Sequence, residues 1–269
     1  MHSSVGIERS SPRSSEPRLA LVPAIVCRHV VKRFYHYEHR TTTLQELVMR
    51  VLWRKPIHVR QADFQLRGLT LEVARGEAIA LVGANGSGKS TALRLMAGIY
   101  PPSEGTIERH GRVVAVIELG ATFHTDLTGR ENIELYGAAL GFTRAEIGAR
   151  FDSIVGFADI GEFIDVPMKY YSSGMRTRLA FAVSVCAEPE ILLLDEVLAV
   201  GDESFRGRCL EHLQAFHEGG GTLVVVSHDL ESVRALCTRA LWLDHGEVRM
   251  SGDVSPVLDA YEQYAHEDS

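Results

Sequence analysis

The sequence predicts an α/β protein with a layered core, and three observations carry that expectation. Apolar runs of strand length recur at Ala78 to Val82, Val113 to Ile117, Ile191 to Leu194 and Thr222 to Val226. Stretches of helical period separate them, which is the alternation of a sheet covered by helices. A glycine-rich turn, Gly83 to Gly88, follows the first run and opens the helical pattern Thr91 to Ala97.

Taken in order, residues 1–24 begin with six serines and two prolines in the first eighteen positions, with mixed charge and no apolar h-region. They read as a disordered arm and not as a signal peptide. The segment 43–55 reads as an inserted amphipathic helix. Thr43 and Glu46 form a capping box, and Leu44, Leu47, Val48, Val51 and Leu52 fall at i, i+3, i+4, i+7 and i+8. Its far end carries Arg50, Trp53, Arg54 and Lys55. From the pattern alone, a helix packed on its own domain and one seated at a membrane boundary or on another chain stand level.

Between the second and third strand runs, from about 118 to 187, the chain is mainly helical. Capping boxes at Thr128 with Glu131 and Thr143 with Glu146 open two helices, the second with Ile147, Phe151, Ile154, Val155 and Ala158 on one face. Leu241 to Leu243 and Glu247 to Met250 flank Asp244-His245-Gly246 and predict a β-hairpin. Residues 254–269 read as a last helix and tail, with Ser255 as N-cap, Pro256 in first helical position and Val257, Ala260, Tyr261 and Tyr264 as its apolar stripe.

Composition excludes several classes. The 28 basic and 35 acidic residues among 269 give a net charge of -7, which offers no global attraction to nucleic acid. No apolar stretch approaches the ~20 residues needed to cross a bilayer, so a cytoplasmic protein is expected. Cys27, Cys186, Cys209 and Cys237 lie far apart, without zinc-site or disulfide-framework spacing, and read as reduced, buried thiols.

The chemistry concentrates in four short stretches. Gly83-Ala84-Asn85-Gly86-Ser87-Gly88-Lys89-Ser90 fits a phosphate-binding loop: the glycines let N–H groups curl around phosphate oxygens, Lys89 reaches the terminal phosphates, and the Ser90 hydroxyl ligates Mg²⁺. Asp195 and Glu196 close an apolar strand, where carboxylates face the crevice in which α/β sheets bind ligands. Asp195 suits the Mg²⁺ shell and Glu196 suits a general base acting on water. Such a pair alone more often starts a solvated helix, but that reading loses its weight about a hundred residues after a phosphate loop. Ser172-Ser173-Gly174-Met175 precedes the apolar helical run Leu179 to Ala187, and His228 ends another buried strand. Each of those two is unremarkable by itself.

In chain order, phosphate loop, Ser-Ser-Gly helix start, Asp-Glu strand end and strand-end histidine, the four stretches resemble the ATP-binding subunits of ABC transporters, over roughly residues 25 to 253. The resemblance implies the ABC ATPase fold: a P-loop nucleotide-binding core with an antiparallel β subdomain and a helical subdomain. It implies that Gly83 to Thr91 is the Walker A loop, Ser172 to Met175 the signature motif, Asp195 and Glu196 the Walker B pair, Gly201-Asp202 the D-loop and His228 the switch histidine. Phe34, with Tyr35 beside it, falls where the family stacks an aromatic on adenine, though an aromatic near a strand end packs in a core about as often. ATP and Mg²⁺ are the cofactors expected.

Two departures narrow the resemblance. Tyr171-Ser172-Ser173-Gly174-Met175 stands for the usual signature, and Val116-Ile117-Glu118-Leu119-Gly120 lacks the Q-loop glutamine, leaving Glu118 as the nearest substitute metal contact. With Leu127-Thr128-Gly129-Arg130-Glu131-Asn132, these resemble the exporters of lipid-linked polysaccharide such as O-antigen, capsule or teichoic acid. In that branch a helix at 43–55 lies near the membrane partner, which makes Leu44, Leu47, Val48, Arg50 and Arg54 interface candidates. The chain is expected to lack the C-terminal glycan-binding domain of some members.

The resemblance implies a head-to-tail dimer of two copies, docked on a polytopic membrane subunit dimer at the cytoplasmic face of the inner membrane, with lipid-linked glycan reached through that subunit and no nucleic acid partner. The alternatives are an ABC ATPase of a lipid, drug or ion transporter and a soluble ABC ATPase of translation or repair. The single ATP-binding half and the absence of a heptad run disfavour the latter. A binding module without turnover is disfavoured by having both Glu196 and His228.

Overall fold

Alternate residues of the apolar strands face opposite ways, and both faces are covered. The computed structural model describes residues 22–37, 59–117, 123–186, 188–196 and 202–267. In chain order its strands and helices are β1 (Ile25–Tyr37), β2 (Val59–Val73), β3 (Ala78–Val82), α1 (Lys89–Met96), β4 (Glu104–Arg109), β5 (Val113–Val116), α2 (Gly129–Ala139), α3 (Arg144–Ala158), α4 (Ser173–Cys186), β6 (Ile191–Asp195), α5 (Glu203–Glu218), β7 (Thr222–Val226), α6 (Leu230–Leu236), β8 (Arg239–Asp244), β9 (Glu247–Asp253) and α7 (Val254–Glu267).

A six-stranded sheet runs β5-β6-β7-β3-β8-β9, parallel except for the antiparallel edge strand β9. One face presents Ala80, Leu192, Leu194, Leu223, Val225 and Trp242 to a core shared with α4, α5, α6 and α7. The other presents Ile79, Leu81, Leu193, Val224 and Leu241 to a second core shared with α1 and an antiparallel sheet of order β2-β1-β4. Burial on both faces is why these strands read as unbroken apolar runs and not as alternating ones.

Both expected capping boxes are present, with Thr128 and Thr143 accepting from the third helical N–H and Glu131 and Glu146 reaching back to the cap. In α3, Ile147, Ile154 and Ala158 are buried, with Phe151 and Val155 packed beside them. The four cysteines are free and buried. The hairpin forms as expected between β8 and β9.

The last helix begins earlier than its sequence signals indicate. It starts at Val254, directly after β9, so Ser255 is not its N-cap and Pro256 sits inside its first turn, where a missing N–H costs nothing. Tyr261 and Tyr264 of its stripe pack on Trp242, while Val257 and Leu258 are fully buried. Residues 1–21 of the N-terminal arm and the segment 43–55, with Leu44, Leu47, Val48, Arg50 and Arg54, lie outside the described residues, as does Glu118. Among the described residues no helix is long and apolar enough to cross a membrane.

Candidate functional site

The parallel strands β3, β6 and β7 end side by side, and the chemistry-bearing stretches leave from those ends. β3 runs into Gly83, β6 ends on Asp195, and His228 lies two residues beyond β7. Ligands bind outside the C-terminal strand ends of such sheets.

The loop after β3 is shaped by what it cannot hold. A Cβ on Gly83 would lie 2.1 Å from the Leu243 carbonyl and 2.6 Å from the Ser87 hydroxyl, so only glycine fits there. Gly88, at φ 111, is the N-cap of α1 in a left-handed conformation and supplies no side-chain cap. No acidic residue follows in the first turn. The first N–H groups of α1 therefore lack intrahelical acceptors and sit at the positive end of the helix dipole, a cradle suited to an anion.

Lys89 lies in this cradle, its Nζ donating to the carbonyls of Gly83 at 2.7 Å and Ala84 at 3.0 Å. Burial lowers its pKa, while the carboxylates of Glu196 and Asp195 act the other way and support the charged form. Ser90 Oγ donates to Asp195 Oδ1 at 3.1 Å. The pair is a set of hard oxygen donors fit for Mg²⁺, of the kind that phosphate oxygens and water complete. Among the described residues no cluster of three or more His, Cys, Asp or Glu forms a cage for a metal without such help.

Glu196 stands at φ 55, in the left-handed region, with its N–H bonded to the Val226 carbonyl at 2.9 Å. That turn brings its carboxylate within 3.2 Å of His228 Nε2. Ser227 Oγ accepts the Asp229 N–H at 3.1 Å, and Asp229 then caps α6, so the bend presenting His228 is held on both sides. Asn85, Gly86, Gly88, Lys89, Ser90, Thr91, Glu196 and His228 line one cleft of about 320 Å³. All eight were expected from sequence.

Other expected residues lie elsewhere. Ser87, within the loop, has a buried side chain with its hydroxyl lacking a partner. Asp202 is the N-cap of α5, accepting from Phe205 N–H at 2.8 Å. Phe34 does not line the cleft; it packs edge-on to Tyr100 at 5.7 Å, with the Lys32 ammonium near both rings. Only the backbone of Tyr35 is described. Ser172, Ser173, Gly174 and Met175 are likewise absent from the cleft lining. Ser172 caps α4 by accepting the Met175 N–H at 3.1 Å, is itself exposed, and a Cβ on Gly174 would meet only the Ser172 hydroxyl at 3.9 Å.

Two buried polar side chains, Tyr171 and Asn132, make contacts that their sequence motifs do not foretell. Tyr171 is buried, and its hydroxyl donates to the Phe163 carbonyl while a Cβ on Gly129 would lie 2.3 Å from it. Burial pushes this phenol up to about 12. Asn132, fully buried, accepts from His124 N–H and donates to the carbonyls of His124, Leu127 and Thr128, pinning the loop ahead of α2. Nothing in the local pattern announces either contact, because each spans turns of irregular backbone.

This architecture and these motifs have relatives. The family model described as ABC transporter matches residues 66–199, from β2 through the phosphate loop and the Ser172 to Met175 stretch to just past Glu196. The O-antigen export system ATP-binding protein RfbB of Klebsiella pneumoniae is 40% identical over 249 residues, covering 90% of this chain and 98% of that protein. Its counterpart in Myxococcus xanthus is 44% identical over 243 residues, covering 89% of this chain, which spans 56% of that relative's length. Among solved structures, the ATP-binding subunit of an ABC transporter superposes with a TM-score of 0.69 at 20% identity, covering 89% of this chain and 93% of that one. With a phosphate loop, an Asp-Glu strand end and a strand-end histidine around one cleft, and near-complete relatives at this identity, the chain belongs to the ABC transporter family of ATP-binding proteins.

Proposed function

We propose that the chain is the ATP-hydrolysing subunit that powers export of a lipid-linked polysaccharide across the cytoplasmic membrane through a separate transmembrane partner. The observation that carries the hydrolysis is the single cleft in which an uncapped helix N-terminus, Lys89, Ser90, Glu196 and His228 meet. The cargo rests on the likeness to O-antigen export proteins over about nine-tenths of the chain.

In this reading the N–H groups opening α1 and the Lys89 ammonium grip the phosphates of ATP. Ser90 and Asp195 hold Mg²⁺, which when bound neutralises charge building up on the transferring phosphoryl group. Glu196 takes the proton of the attacking water, and His228, whose Nε2 lies 3.2 Å from that carboxylate, orients it and contacts the terminal phosphate. The Ser172 to Met175 stretch sits outside its own cleft with Ser172 exposed, which fits completion of a second copy's site in a head-to-tail dimer. The segment 43–55 is assigned to the membrane subunit's side.

The test is made in cells lacking the parent gene. Surface glycan should disappear while lipid-linked glycan accumulates, and the parent chain should restore export where Glu196→Gln does not. Undiminished surface glycan in the deletion strain would remove the cargo assignment, and leave the ATPase reading to the purified protein.

A further inference from the structure

The turn between β8 and β9 touches the phosphate loop through its backbone. Gly246 N–H donates to the Ser87 carbonyl at 3.0 Å, and the Gly246 carbonyl accepts the Arg67 N–H of β2 at 2.8 Å. Leu243, at the end of β8, presses its carbonyl against Gly83. One residue of the turn therefore joins the antiparallel sheet to the loop that lines the cleft. The direction of the Ser87 carbonyl matters because the peptide is planar and trans: a carbonyl fixed outward points the following N–H, that of Gly88, the opposite way. Gly88 lines the cleft.

Arg249 holds the turn in place. The β8–β9 pairing slips by one residue, from Trp242 opposite Met250 to Leu243 opposite Val248, and the residue passed over is Arg249. Its Nη1 donates to Asp244 Oδ2 at 2.9 Å, at the start of the turn. The same guanidinium stacks 4.7 Å from the Trp242 ring centre and 4.1 Å from that of Tyr264 on α7. α7 is fastened in turn by Arg234, which donates to Asp259 at 2.6 Å and Glu262 at 3.0 Å. His245 and Gly246, at φ 47 and 83, give the tight two-residue geometry that lets the turn reach the loop.

We propose that Asp244, Gly246 and Arg249 are positioning residues for nucleotide binding, locking the hairpin turn against the phosphate loop with the C-terminal helix as back wall. The proposal rests on the reading that the cleft binds ATP. It gives α7 a role beyond closing the core: the helix sets the bearing of the Arg249 side chain, and through it the aim of the amides that grip phosphate.

The experiment uses the full chain, with Arg249→Met, Arg249→Lys and the milder Asp244→Asn in case the first does not fold. ATP affinity is titrated, KM and kcat are measured, and hydrogen exchange is followed in peptides covering 83–96 and 254–267. Arg249→Met should weaken ATP binding roughly three- to tenfold, the worth of about one hydrogen bond, with KM rising more than kcat falls. Exchange should quicken in 83–96 as well as 254–267, and Arg249→Lys should recover part of the affinity. Faster exchange confined to 254–267 with parental ATP affinity would overturn the proposal and leave Arg249 as a clip for α7. Lys89→Ala keeps the two failures apart: if it abolishes ATP binding while Arg249→Met does not alter it, only the positioning role falls, whereas a parent chain that binds no ATP strikes the cleft reading itself.

Discussion

Replacing Glu196 by Gln isolates the proton-accepting role proposed for it from everything else the residue does. The backbone at φ 55 is one that Gln tolerates no worse than Glu, and the N–H bond to the Val226 carbonyl at 2.9 Å is untouched. A Gln amide of the same length still reaches His228 Nε2, now 3.2 Å from the carboxylate. The fold and the cleft should therefore survive. What is lost is the base, a factor of roughly 10²- to 10⁴-fold in turnover, which is about 3 to 5 kcal/mol of transition-state stabilisation. The lost negative charge acts in two small, opposed ways. It removes one of the two carboxylates that support the Lys89 ammonium against burial, and it removes repulsion toward the phosphates. Since the phosphates themselves hold Lys89 charged once bound, ATP affinity should be equal to or tighter than that of the parent. The assay pairs phosphate release at saturating ATP and Mg²⁺ with an equilibrium ATP titration. Parental turnover in a variant that binds ATP normally would refute the assignment of Glu196.

Gly83→Ala puts a methyl 2.1 Å from the Leu243 carbonyl, so β3 or β8 must shift; ATP binding should fall sharply and stability by roughly 1–3 kcal/mol, and a variant with parental melting and binding would show the loop to be softer than its packing implies. Arg109→Met removes the two hydrogen bonds that cap the last carbonyls of α1, Leu95 and Met96; urea unfolding should show a loss of about 3 kcal/mol, and a change within ~0.5 kcal/mol would be that of an ordinary surface site. Glu146 is held down to about 2 by the Thr143 N–H first, then by Arg112 and the Thr143 hydroxyl. Its folded pKa lies below the unfolded 4.5, so its contribution is full above that pH and fades as pH falls toward 2; Glu146→Gln should flatten the melting temperature against pH across that window, and an unchanged slope would mean the cap carries no linkage. In the proposed head-to-tail dimer Gly174→Asp would turn its carboxylate toward a second copy's phosphates, so it should suppress hydrolysis with little loss of ATP affinity in the isolated subunit; mixed with Lys89→Ala it should regain activity wherever one intact composite site forms, and confirmed heterodimers without such recovery would mean that the sites are not shared or must fire together.

The cleft was legible because its residues are contiguous, or sit at strand ends that declare themselves. Gly83 to Thr91 follows five fully buried strand residues, and Asp195 and Glu196 follow four. A buried parallel strand has no polar face, so the first polar residue after it marks the C-terminal edge of the sheet, where the site must be. The capping boxes were legible for a similar reason: cap and partner lie three residues apart, within one turn. The start of α7 was not, because β9 hands directly over to it and no loop separates the signals of the two elements.

What the sequence hid is contact between distant segments, and Tyr171 and Gly129 show why. Tyr171 looks like an arbitrary change at the head of the Ser172 to Met175 stretch, and Gly129 looks like a poor residue for the first turn of a helix. Packed together they explain one another. The phenol occupies the volume a Cβ on Gly129 would need, 2.3 Å away, and spends its hydroxyl on the Phe163 carbonyl. Either change alone would cost stability: a side chain at Gly129 against Tyr171 is a clash, and a smaller residue at 171 leaves a void beneath α2 and an unpaired carbonyl at Phe163. Because Tyr171 directly precedes the α4 cap residue Ser172, this fit anchors the chain immediately before that cap, more than forty positions away in sequence from the glycine that permits it. Complementarity of that kind has no period and no spacing, so it becomes readable only once both segments are brought into contact.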